Sequence, residues 1–173
     1  VIIWSGVVNI SRLKKTEQAL VQAYERLKIC IDNRDEDGIY AALGEVLLWI
    51  NVTHDWHKKN NGKYVHRLNI NQKKNLILGI RFAYNLVKHN LDFIVLHQED
   101  GGFSFPMEFS IEIPELKIVW TQASDIPVNN SEFKGQRNHY ISHLQGEKVL
   151  DTVNEVFDYL MSENAICYAT KSI

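Results

Sequence analysis

The sequence predicts a mainly α fold, a helical bundle with a β-hairpin or a small two- to three-stranded sheet inserted at about residues 92–120. Three observations carry this. Apolar residues recur at helical spacing through the first third of the chain and beyond, as far as Leu91. The period then shifts toward alternation, with β-branched and aromatic residues from Asp92 to Trp120, and helical spacing returns after Ser131. With 173 residues and no internal repeat, low-complexity tract or linker, the chain reads as a single domain, 1–173, long enough to bury roughly 70% of the surface of its unfolded state.

Residues 9–31 place Leu13, Leu20, Tyr24, Leu27 and Ile31 on one face of a helix, with Asn9 or Ser11 as its cap. The polar run DNRDEDG ends it. AALGEVLLWINVTHDWH then forms a second helix, apolar over most of its circumference, which belongs inside a bundle or against a partner. After the Asn60-Asn61-Gly62 turn, a third helix runs through INQKKNLILGIRFAYNLVKHNL with Ile70, Leu76, Ile77, Ile80, Ala83, Tyr84 and Val87 as its apolar face. The segments DFIVLHQ, FSFPMEFSIEI and LKIVW read as strands, with EDGG as a hairpin turn and with Pro106 and Pro114 confining them to edges or bulges. The aromatic residues from Phe93 to Trp120 are expected to cover the core. Two helices close the chain, SEFKGQRNHYISHLQG and EKVLDTVNEVFDYLMSEN, divided at Gly146; the second carries Val149, Val153, Val156, Phe157 and Leu160 as one stripe.

A net charge of −2 excludes the strongly basic footprint of a general nucleic-acid binder, although Lys14-Lys15, Lys58-Lys59, Lys73-Lys74 and Lys88 leave room for a local patch. Cys30 and Cys167 match no metal or redox spacing and read as buried small side chains in a reducing compartment. VIIWSGVV is too short to span a membrane and has no basic leader, so it reads as an extended segment over the core. A cytoplasmic protein with no membrane partner is the expectation.

The stretch GIRFAYNLVKHN sets Arg81, Asn85 and His89 four residues apart. On a helix these drift little around the axis and form one stripe about 12 Å long, flanked by Tyr84 and Lys88. A cation, an amide and an imidazole in line suit an anionic substrate with a hydroxyl to deprotonate, and RNA is such a substrate. That route needs no metal and no cofactor. Surface chemistry or a capping arrangement is the alternative. In THDWH, His54 and His57 are close enough to share a metal, and His139 with His143 repeats the idea, but two histidines at helical spacing are too few for a site. EDGGFSF lacks the strand, helix and lysine context of a phosphate-binding loop.

GIRFAYNLVKHN resembles the second signature helix of HEPN-type domains, in particular a bacterial group with a pattern like GLRYARNxVxH. GEVLLWINVTHD, with Glu45, Trp49 and Asp55, resembles the earlier helix of that group, and KIVWTQASDIP followed by HYISHLQGEKVLDTVNEVFDYL resembles its ending, so the similarity spans about residues 40–160. The resemblance implies a helical bundle that dimerises so that two copies of an arginine–polar–x–x–x–histidine motif face each other. It also implies a metal-independent ribonuclease of a defence or toxin system, with a homodimer, RNA or an antitoxin-like protein as partners. Carried over, Asn85 takes the polar position and His89 the histidine, while Tyr84 stands where the arginine is expected. Tyrosine donates a hydrogen bond but brings no charge, and Arg81 one turn earlier is the cation available to replace it.

Two functions follow. In one, His89 is general base or acid, Arg81 and Lys88 bind phosphate, Tyr84 contacts substrate, Asn85 orients the histidine or the phosphate, and Glu45 and Asp55 support the site. In the other, the domain is a non-catalytic module whose apolar helix surface, including Trp49 and Phe82, serves a homodimer or a partner protein, and whose polar stripe binds a nucleotide or nothing. The first expects an exposed His89 in a cleft; the second permits a His89 capped by Glu45 or Asp55.

Overall fold

The computed structural model describes residues 10–89, 92–98, 116–127 and 134–170. Among them the chain forms six α-helices with a two-stranded antiparallel hairpin inserted between the fourth and the fifth. The mainly α expectation and the place of the insertion both hold.

Helices α1 (Ile10–Asp32) and α2 (Glu36–Asn60) make a helical hairpin. Leu13, Leu20 and Leu27 are buried as their spacing requires, while Tyr24 and Ile31 are half-buried. Asn9 lies outside the described residues, and Ser11 falls within the helix instead of capping it. Asp35 caps α2, its Oδ1 accepting from the Gly38 amide at 3.0 Å, and Glu36 and Asp37 in the first turn suit the positive end of the helix.

The third helix, expected from Ile70, begins only at Lys74 as α4 (Lys74–Lys88), and a short helix that the sequence reading did not mark, α3 (Tyr64–Ile70), precedes it. Asn71 ends α3 by donating its side-chain amide to the Arg67 carbonyl at 3.0 Å, and Gln72 then takes the left-handed conformation at φ 56°. Ile70, expected on the apolar face, therefore ends α3 with 64% exposure.

Strands β1 (Ile94–Gln98) and β2 (Leu116–Trp120) pair from Ile94↔Trp120 to Gln98↔Leu116. The expected EDGG turn, the FSFPMEFSIEI strand and Pro106 and Pro114 lie outside the described residues. Helix α5 (Lys134–His143) packs on α4, and α6 (Val149–Ala169) follows a turn at Gly146, whose φ of 73° favours glycine. Contact between α4 and α5 needs a second glycine: a Cβ on Gly79 would sit 2.6 Å from Leu144 Cδ1 and 3.2 Å from the His139 carbonyl oxygen.

The core joins Leu43, Leu47 and Ile50 of α2, Phe82 of α4, Tyr140 of α5 and Val153, Val156 and Leu160 of α6. Phe93 and Trp120 close it from the hairpin side, with Trp120 Nε1 donating to Thr152 Oγ1 at 2.8 Å. Among the described residues no helix is long and apolar enough to cross a membrane.

Candidate functional site

Helix α4 lies between α2 and α5, and its polar stripe divides between them. Arg81 makes two parallel hydrogen bonds to Asp55 on α2, Nη1 to Oδ1 at 3.2 Å and Nη2 to Oδ2 at 3.1 Å. One turn later Asn85 Nδ2 donates to Gln136 Oε1 of α5 at 3.0 Å. Lys88 Nζ sits 5.8 Å from the centre of the Tyr84 ring, within cation–π reach. His89 is the first residue past the helix, its backbone amide bonded to the Asn85 and Leu86 carbonyls, and it is exposed.

The structure thus brings Arg81 to Asp55 and Lys88 to Tyr84, and ties Asn85 to a residue that the sequence did not mark. Glu45 is held by Arg26 of α1. Both carboxylates expected to support or cap the site are therefore engaged by arginines. Arg81 and Asp55 keep 33% and 49% of their side-chain surface exposed, so water screens the pair and it contributes at most about 1 kcal/mol. A phosphate can displace Asp55 from Arg81 at small cost. Arg81 and His89 stand at opposite ends of the stripe, about 12 Å apart along the axis.

Phe82 is fully buried against the Tyr140 ring at 5.0 Å, which removes it from any interface, and Trp49 is half-buried against the core. The sequence reading passed over Gln136 because nothing in local pattern announces a cross-helix partner. It also read the α5 histidines only as a metal pair. Arg137 and Asn138 precede them, so α5 carries an arginine, an asparagine and a histidine in the order sought on α4. Arg137 Nη2 donates to the Ala123 carbonyl at 2.9 Å, while Asn138 and His143 are exposed.

The THDWH histidines have a different setting. His54 is buried and its Nδ1 lies 2.7 Å from the Tyr64 hydroxyl. Burial pushes its pKa down to about 4, against a smaller upward pull from Asp55. His57, with no exposed surface, bonds through Nε2 to Asn164 Oδ1 at 2.7 Å, and burial lowers its pKa as well. Nearby, Arg67 of α3 clamps the buried Glu163 of α6, with Nε 2.9 and 3.1 Å from the two carboxylate oxygens and Nη2 2.5 Å from Oε2. Both histidines are hydrogen-bonded within the fold, and no three histidine, cysteine or acidic side chains among the described residues converge as metal ligands.

No family model, no curated protein and no solved structure matches the chain.

Proposed function

We propose that the chain is a HEPN-like protein acting as a dimeric, metal-independent endoribonuclease, with His89 at the centre of the chemistry. The observation that carries this reading is the position of His89: exposed, fixed by the end of α4 and next to the exposed Lys88, with Asp55 and Glu45 engaged by other side chains. His89 of one copy accepts the 2′-hydroxyl proton as that oxygen attacks the neighbouring phosphorus. The 5′ oxygen leaves with a proton from an imidazolium, supplied by His89 of the second copy, and a cyclic phosphate and a 5′-hydroxyl remain. Lys88, together with Arg81 once released from Asp55, balances charge on the phosphoryl oxygens. Asn85 holds α4 against α5 through Gln136 and so keeps the stripe in place.

Two observations favour the second reading, a non-catalytic HEPN-like dimerisation or partner- or nucleotide-binding module. Tyr84 brings no cation next to Asn85, and Arg81 and Asn85 are both bonded inside the chain.

The deciding experiment incubates labelled mixed RNA with purified protein and excess chelator, beside His89→Ala, while native mass is measured on both. Cleavage by the parent dimer and not by an equally folded, equally dimeric variant supports the nuclease. Absence of cleavage from a well-folded dimer overturns it in favour of the binding module.

A further inference from the structure

A second constellation, independent of the RNA reading, lies where α1, α2 and α6 meet. Glu17 Oε2 accepts from Asn164 Nδ2 at 2.8 Å and from the Tyr168 hydroxyl at 2.5 Å. A carboxylate only accepts, so the Asn164 amide group must face Glu17 and its Oδ1 must face His57. The His57 Nε2, 2.7 Å from that oxygen, therefore carries the hydrogen, and Nδ1 keeps its lone pair. Nδ1 lies 3.9 Å from Cys167 Sγ, within reach of a thiol hydrogen. Asn61 Nδ2 stands 3.3 Å from the same sulfur and 3.4 Å from His57 Nδ1; it gives up the contact with Nδ1 when the ring takes the thiol hydrogen, and is then a donor for charge that develops on the sulfur. The imidazole cannot turn away, because it stacks on Tyr64 at 4.9 Å and meets Trp56 edge-on at 5.2 Å.

This is a nucleophile, a base and a residue that orients the base, on three positions brought together from 57, 164 and 167. Cys167 is 9% exposed, which keeps bulky electrophiles out and admits only small ones. We propose that Cys167 is a hydroperoxide-reactive thiol, activated by His57 and oriented through Asn164 and Glu17. As the sulfur attacks the peroxide oxygen, its proton passes to His57 Nδ1. The S–O bond forms and the O–O bond breaks; the departing hydroxide takes the proton from His57 and leaves as water. Sulfur is oxidised by two electrons, peroxide is reduced, and Cys167 becomes a sulfenic acid that thiols can reduce. The added oxygen enters the space of the Asn61 amide, which is also 3.5 Å from Glu163 Oε2, and so loosens the Arg67–Glu163 clamp between α3 and α6.

The chain contains its own control. Cys30, half-buried at the end of α1, is the more exposed of the two thiols. If exposure alone governed reactivity, Cys30 would oxidise first. The test treats the intact native protein with dilute hydrogen peroxide, removes the peroxide, unfolds the protein in the presence of a dimedone-type reagent so that both sulfurs are equally open to trapping, and follows both cysteines by peptide-resolved mass spectrometry. The expected result is trapping at Cys167 at a rate roughly tenfold or more above Cys30, with the order reversed in His57→Gln. Equal rates, or Cys30 first, in the native protein overturns the proposal, and so does a folded His57→Gln that keeps the preference. Should that variant not fold, the ratio in the native protein decides.

Discussion

The two polar regions of this molecule use the same kinds of side chain and reach opposite states. At the junction of α2, α3 and α6, His54 bonds to Tyr64, His57 to Asn164 and Arg67 to Glu163, and all but Arg67 are nearly sealed from water. On the outer side of α4, Arg81, Asn85, Lys88 and His89 are bonded to neighbouring helices at the start of the stripe and exposed at its end. Burial makes the difference. In the interior an unmatched charge or donor is costly, so these side chains are paired and the cluster holds helices together. At the surface the same groups lose little when a partner is exchanged, which is what a substrate-binding stripe requires.

The sharpest way to break this contrast is to remove one charge from each pair. Arg67→Ala leaves the Glu163 carboxylate, 1% exposed, without its cation and is expected to cost about 3–5 kcal/mol, measured by urea unfolding. Arg81→Ala, the exposed counterpart, is expected to cost less than about 1 kcal/mol in the same assay. Equal losses would mean that burial does not separate the two regions.

Acid sharpens the comparison next. The His54 pKa, about 4 in the fold against an ordinary 6.5, means that the unfolded chain takes up its proton first. The associated stability is complete above pH 6.5, is lost as pH falls from there toward 4, and does not decline further below. The loss reaches about 3 kcal/mol, and His57, whose pKa is also lowered, adds in the same direction. Unfolding free energies across this window should flatten in His54→Phe. A smaller effect is expected at the contact that positions the stripe. Gly79→Ala forces a methyl against Leu144 and the His139 carbonyl, at a cost of about 1–3 kcal/mol in thermal unfolding, and displaces α5 from α4. If the Asn85–Gln136 bond serves the proposed nuclease, cleavage should fall in that variant by more than its folded fraction.

Part of this was legible beforehand. The spacing of Leu13, Leu20 and Leu27 gave α1, Val149, Val153, Val156 and Leu160 gave α6, and the shift in pattern at Asp92 located the hairpin. The short helix α3 was not legible, nor was the start of α4 at Lys74 in place of Ile70, because Ile70 continues the apolar period and only the left-handed Gln72 interrupts it. In the site, the alignment of Arg81, Asn85 and His89 followed from helical geometry, but their partners did not. Gln136 lies 51 residues from Asn85, and the choice of Asp55 over Glu45 for Arg81 depends on how α2 crosses α4.

Taken alone, the sequence determined the mainly α class, the inward face of most helices and the placement of one imidazole at the end of a polar stripe. These depend on the period of the backbone, a local property that each segment carries by itself. The tertiary structure alone decided which carboxylate holds which arginine, that Phe82 belongs to the core, and that Glu17, through Asn164, turns the lone pair of His57 Nδ1 toward Asn61 and Cys167. Those outcomes depend on helix crossings and burial, where residues more than a hundred positions apart compete for the same few donors and acceptors, and local periodicity contains no record of that competition.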